Sequence, residues 1–283
     1  MKKALCILLT VALCLLLLLP GCGKQETKTI LIPAEAVSQA RALFLLQEAG
    51  VITLRDGAAL QATTEDIDGN PYGVTVQAVP SEKFGKLLPE AALAVMGPET
   101  AYAVGLDPRQ VLQSETGYKA YPCVIAMRGE DATRDVGRAL AAAAQSDVVA
   151  EQIKYTFGTL MESATESPGS GTDPNVDYAD LLNLRLTVAA YETPQAEILQ
   201  VIGDVLRAQD IQLEVKLYTD PAQANADLIA ERVDAVYMQD AKQLEAYNIA
   251  HGATLLPVAA VHAAPLSLYA GTAVSVDALA EAE

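Results

Sequence analysis

The chain has 283 residues, of which 36 are acidic and 19 basic, giving a formal net charge of −17, and 51% are hydrophobic. That length suits two modest lobes or one large domain, and the charge argues against nucleic acid and anionic lipid headgroups as partners. With four cysteines and two histidines in the whole chain, there is little material for disulfides, zinc sites or catalytic triads.

The N-terminus reads as an export signal. Met1-Lys2-Lys3 precedes an apolar stretch, residues 4–19, that is too short for a comfortable membrane span and ends in Leu19-Pro20-Gly21-Cys22. The ending resembles a bacterial lipobox, in which the cysteine becomes the first mature residue and carries lipid. Residues 1–21 are then a signal peptide, Cys22 the lipidation site and residues 22–28 a tether holding the protein on the extracytoplasmic face of the cell membrane. An uncleaved signal anchor is the alternative. Cys6 and Cys14 would leave with the signal, so Cys123 alone remains in the folded body. It sits in the apolar run Tyr121-Pro-Cys-Val-Ile-Ala-Met127, where cysteine acts as a small buried hydrophobe. His251 and His262 lack ligand spacing, so no metal and no cofactor is expected.

From Thr29 onward, short aliphatic runs alternate with amphipathic stretches, the pattern of α/β lobes with largely parallel sheets. Strands are expected at residues 30–32, 74–79, 92–96 and 124–127, with helices at 35–49, near 81–88, at 131–145 and at 147–157. Gly50 suits the residue just past a helix end, and Ser146 or Asp147 suits a cap. Residues 162–177 are rich in Gly, Ser and Pro and read as a flexible linker. Beyond it, strands are expected at 184–190, 211–217, 234–238, 255–258 and 266–269. Helices are expected to start at Thr193-Pro194 and Asp220-Pro221, where the first residue caps and proline takes the first turn, and to run over 239–250. Residues 275–280 read as a capped helical turn. The sequence contains no GxGxxG, P-loop, HExxH, GxSxG or CxxC motif, so it is not expected to be an enzyme.

The run Pro33-Ala-Glu-Ala-Val-Ser-Gln-Ala-Arg41-Ala-Leu, followed by Ala49-Gly-Val-Ile52, resembles a stretch in the second half of the NlpA family of methionine-binding lipoproteins. Ala94-Val-Met-Gly-Pro-Glu99 and Gly105-Leu-Asp-Pro108 resemble a later segment of that half. Pro194-Gln-Ala-Glu-Ile-Leu199, Tyr218-Thr-Asp220 and Val233-Asp-Ala-Val-Tyr-Met-Gln239 resemble the family's first half. The order is reversed, which a circular permutation or a fusion of two partial copies would explain. The resemblance implies an α/β fold of the type II periplasmic-binding-protein-like class, two α/β lobes with a ligand cleft between them. Residues 29–120 would form one lobe and residues 121–283 the other, the second containing the 162–177 linker.

The resemblance also implies a site. Arg41 aligns with the family arginine that meets the ligand carboxylate, a role that suits a guanidinium's paired donors. No acid lies three or four residues from it, so any structural partner must come from elsewhere. The other positions are Ser38, Gly97, Glu99, Tyr191, Tyr237, Gln239 and Asp240, several changed from the family's amides and aromatics. If Glu99 faces the cleft, it would occupy Arg41 in place of a substrate carboxylate, and Asp240 would favour a cationic amine. The implied function is an extracytoplasmic solute-binding lipoprotein of an ABC importer, with an amino acid or similar small solute and an ABC permease as partners. A noncatalytic scaffold or sensor with a degenerate cleft is the alternative.

Overall fold

The computed structural model describes residues 28–281; the expected signal peptide, Cys22 and the tether as far as residue 27 lie outside the described residues. In chain order, the elements begin with β1 (Thr29–Pro33), α1 (Ala36–Glu48), β2 (Thr53–Leu54), β3 (Ile67–Gly69), β4 (Thr75–Val79), α2 (Phe84–Leu87), β5 (Leu93–Met96), α3 (Pro98–Ala103) and β6 (Gln113–Ser114). Then come β7 (Cys123–Arg128), α4 (Gly129–Ala132), α5 (Asp135–Ala144), α6 (Asp147–Phe157), β8 (Glu162–Ser163), β9 (Arg185–Ala190) and α7 (Glu197–Arg207). The chain finishes with β10 (Gln212–Leu217), α8 (Pro221–Ile229), β11 (Ala235–Asp240), α9 (Ala241–His251), β12 (Leu255–Ala263), β13 (Ser267–Ala270) and α10 (Ala278–Glu281).

Two main sheets define two lobes. The first has strand order β4-β1-β5-β13-β6 and the second β10-β9-β11-β7-β12-β8. Each is cored on both faces, which is why β1 and β5 read as apolar runs without alternation. The expectation of largely parallel sheets holds for only part of each. β4, β1 and β5 are parallel, as are β10, β9 and β11, whereas β13, β6, β7, β12 and β8 are antiparallel to their neighbours. The cause is the connection between lobes. The chain crosses at residues 115–122 and again at 264–266, so β7 and β13 enter their sheets where the parallel strands finish and must run against them.

The second crossing corrects the expected lobe boundary. Residues 266–269 do not complete the second lobe: β13 pairs with β5 and β6, placing Ser267 opposite both Met96 and Ser114. The tail stays with the first sheet. Gly271 N–H donates to Ala92 O at 3.0 Å and Thr272 N–H to Ala91 O at 2.8 Å, in an approach so close that a Cβ on Gly271 would collide with the Ala91 carbonyl. Leu279 is buried with Ile30 and Leu43. A four-residue apolar strand fits either sheet, and these long-range contacts decide between them.

The segment expected to be a flexible linker is laid onto the second lobe. Ala164 N–H donates to Val261 O at 3.0 Å, Gly169 N–H to Gln145 O at 3.0 Å, and Asp147 N–H to Gly169 O at 2.9 Å. Val176 is buried, and Gly171 has φ +88° with Val205 packed where a Cβ would be. Composition misleads here because Gly171 serves close approach and Gly169 supplies backbone hydrogen bonds to the lobe. Gly171→Ala is expected to cost about 2 kcal/mol, from positive-φ strain plus overpacking against Val205. Urea unfolding checks this, and an unchanged midpoint would refute the packed arrangement.

Most local punctuation is as expected. Gly50 has φ +73°, the Ser146 hydroxyl accepts from Val149 N–H at 3.4 Å, and Asp220 Oδ1 accepts from Ala222 N–H at 2.8 Å. The helix expected at 131–145 is broken into α4 and α5. Thr193 is not a cap: it is extended, its hydroxyl donates to Glu197 Oε1 at 2.9 Å, and a π-type turn over Glu192–Ala196 leads into α7. The side chain finds a better partner one turn on than the backbone N–H groups offer.

Candidate functional site

The parallel strands of both lobes aim their C-terminal ends at the space between the sheets, where ligands bind in open α/β folds. The crossings sit beside that space, joined by the Ser114 and Ser267 hydroxyls 2.9 Å apart and by Glu115 N–H donating to Leu266 O at 2.9 Å. A cavity of about 500 Å³ opens between the lobes, in the size range of small-molecule sites. The first lobe contributes Glu99, Tyr102 and Ala103 from α3. The second contributes Tyr191, Glu192 and Thr193 after β9, and Leu217, Tyr218, Thr219, Asp220 and Gln223 around the end of β10.

Glu99 therefore lines the cleft, half-buried. Gly97 is the N-cap of α3, and the Glu99 carboxylate folds back over it into the space a Cβ would occupy, so a side chain there would displace the carboxylate. Burial raises the Glu99 carboxyl above its ordinary range, the bond to its own N–H and the charge of Arg41 act against that rise, and Glu35 adds to it. Tyr191 forms part of the wall, and burial likewise pushes its phenol up. Tyr218 is held in place by its hydroxyl, which donates to Asp227 Oδ2 at 2.5 Å, while Arg232 holds the Asp227 carboxyl well below the usual range.

Arg41 is buried on α1, but its partners are not those expected. Nε and Nη2 donate to the two carboxylate oxygens of Glu115 at 3.0 and 2.7 Å, the bidentate geometry a bound carboxylate would adopt. Nη1 donates to Asp240 Oδ2 at 3.2 Å, and the Tyr121 ring lies 4.4 Å from the guanidinium carbon. Glu115, from the crossing segment, thus takes the place the sequence assigned to Glu99, and its Oε2 also accepts from Leu266 N–H at 3.2 Å.

The surroundings of Asp240 join the lobes. Its Oδ1 accepts from Lys242 and Gln243 N–H groups at the start of α9, and Gln243 Nε2 donates across to the Ser38 hydroxyl on α1 at 2.8 Å. Burial raises the Asp240 carboxyl, with the bonds to Gln243 N–H, Arg41 and Lys242 N–H opposing. Ser38, Arg41 and Asp240 come together, but on one another rather than on an open space.

Two expected site residues lie in the second lobe's interior. Tyr237 is fully buried in the core with Ile125 and Leu199, and its hydroxyl shares a hydrogen bond with His262 Nδ1. Gln239 forms a closed amide pair with Asn225, at 2.9 and 2.8 Å. Alternation along β11 explains both, since every residue of that strand is enclosed by packing on its two faces. Tyr102, Glu115, Tyr121 and Gln195 had no role in the sequence reading. Tyr102 was signalled by its spacing of three residues from Glu99 on one helix face. Among the described residues, no group of three or more His, Cys, Asp or Glu side chains is placed to hold a metal, and no helix is long and apolar enough to cross a membrane.

Two α/β lobes, two crossings and a cavity between C-terminal strand ends define a periplasmic-binding-protein-like fold. The chain belongs to the NlpA lipoprotein family, whose model matches residues 24–164 and 186–283. It is 36% identical over 115 residues to membrane lipoprotein TpN32 of Treponema pallidum, covering 40% of this chain and 43% of that protein. It is 27% identical over 136 residues to the D-methionine-binding lipoprotein MetQ of Escherichia coli, covering 47% and 50%. A solved nutrient-binding protein from Burkholderia cenocepacia bound to methionine is 30% identical, over 30% of this chain and 36% of that one, with a TM-score of 0.29. The chain spans half or less of the length of these relatives.

Proposed function

We propose that this protein is a noncatalytic, lipid-anchored solute-binding protein on the extracytoplasmic face of the membrane, delivering a small solute to an ABC permease. The observation that carries the reading is the cavity of about 500 Å³ bounded by both lobes, beside the only two interlobe crossings among the described residues. Family membership and the methionine-binding names of relatives support the solute class, an amino acid or similarly small molecule. Lobe closure would trap the solute, and the closed form would dock on the permease.

The two blocks matched by the family model, together with relatives that each align over half the chain or less, support a circular permutation. A linear alignment stops where segment order is exchanged. Two complete sheets favour one rearranged copy over two partial ones.

The alternative reading, a scaffold or sensor with a degenerate cleft, is favoured by one observation: Arg41 is ion-paired to both Glu115 and Asp240. Thermal-shift screening of the full chain against a broad library of amino acids, amines and small polar solutes decides between them. Saturable stabilisation by at least one solute, accompanied by compaction in small-angle scattering, is expected. No response across the library would leave the scaffold reading.

A further inference from the structure

We infer that the interlobe cavity takes a small organic cation, a primary amine without an α-carboxylate, in place of the zwitterionic amino acids for which relatives are named. The inference rests on the solute-binding reading and specifies its ligand. Three observations carry it, beginning with charge. Glu99, Glu192 and Asp220 line the cavity with no lysine, arginine or histidine among the lining residues, and Glu99 has no ion-pair partner among the described residues. An anion entering there would meet uncompensated like charge, whereas an ammonium would relieve it.

The second observation is the fate of Arg41, the one buried guanidinium able to receive a substrate carboxylate from this side. Glu115 engages it in bidentate fashion, Asp240 takes Nη1, and Tyr121 stacks on the guanidinium. Its Nε/Nη2 edge, one of the two edges that can hold a carboxylate in bidentate fashion, is taken and its Nη1 is bound to a second acid, so a bidentate substrate carboxylate on that edge would have to displace a tethered one.

The third is independent of charge. Gln195 is 2% exposed, yet its Oε1 has no hydrogen-bond partner. It lies two residues beyond the wall residue Thr193, behind the lining itself, and its side chain meets Cys123, which lies within the field of Glu99 and Asp240. An unpaired buried acceptor is costly, and only a donor relieves it. The charged groups lining the cleft are thus all anions, with an orphan acceptor two residues beyond its wall, and the lining includes Tyr102, Tyr191 and Tyr218, aromatic rings of the kind that favour cations.

The test uses matched pairs differing only in the α-carboxylate: cadaverine against lysine, and 3-(methylthio)propylamine against methionine. Each is titrated calorimetrically into the full-length protein in detergent at physiological salt. Each amine is expected to bind at least about tenfold more tightly than its amino acid, and Glu99→Gln to weaken amine binding by about tenfold or more. Glu99→Gln keeps the side-chain shape, and a thermal melt confirms that it folds; Gln195→Leu, which removes the orphan acceptor, is expected to weaken the amines as well. An amino acid that binds more tightly than its amine overturns the inference and leaves the solute-binding reading intact. Amine binding unchanged in both variants overturns it too. Silence from all four probes overturns this ligand class, whereas the broader function falls only if the wider library is also silent.

Discussion

Arg41→Ala is expected to destabilise the protein by about 3–5 kcal/mol, the cost of breaking a buried ion pair from one side. The Glu115 and Asp240 carboxylates, now 12% and 5% exposed with one guanidinium between them, would then face each other without it. Because Glu115 also accepts from Leu266 N–H, the loss would reach both crossing segments. At roughly 2–4 °C per kcal/mol for a chain of this size, the melting temperature should fall by about 10 °C. A double-mutant cycle supplies the check. Arg41→Ala combined with Glu115→Ala should cost clearly less than the two single changes added together, since the second removes the charge that the first leaves unpaired. Strict additivity would show that the observed bond contributes nothing.

Acidification from about pH 6.5 to about pH 4 is expected to remove about 3 kcal/mol of stability through His262 alone, taking 1.36 kcal/mol per pKa unit. Burial lowers the His262 pKa from 6.5 to about 4, since the enclosed ring, hydrogen-bonded through Nδ1 to the Tyr237 hydroxyl, has no water to solvate an added charge. The unfolded chain therefore binds more protons in that window. The contribution is fully present above the unfolded pKa and is lost as pH falls through the folded value. Glu35, Glu99 and Asp240 act with opposite sign. Burial raises their carboxyls, so their contribution is greatest at low pH and is lost as pH rises through the raised values. Urea unfolding of His262→Asn beside the wild type over this range isolates the histidine: the variant should show a much weaker loss on acidification. Parallel pH profiles would contradict a buried neutral imidazole.

The two expectations draw on different ranges of information in the chain. Arg41 is legible as a residue needing a partner, because a guanidinium on an apolar helix face without an acid one turn away must be paired elsewhere. Its partners lie 74 and 199 residues away, however, and no local pattern distinguishes Glu115 from the protein's other acids. The same applies to Tyr237, whose position at the end of an apolar strand suits both a cleft wall and a core. Glu99 could be placed at the cleft from sequence because it opens a helix directly after β5, where the fold puts its ligands.

Features that depend on near neighbours are written in the local sequence. The apolar runs of β1, β5, β7 and β11, the amphipathic α7, the caps at Ser146 and Asp220, the turn at Gly50 and the export-signal pattern at the N-terminus all follow from spacing within one or two turns. Tertiary structure alone decided which sheet received β13, that the Gly-rich arm is packed, and that a carboxylate of the chain itself fills Arg41. Each is a choice between locally equivalent options, settled by contacts whose energies arise only once distant segments have been brought together.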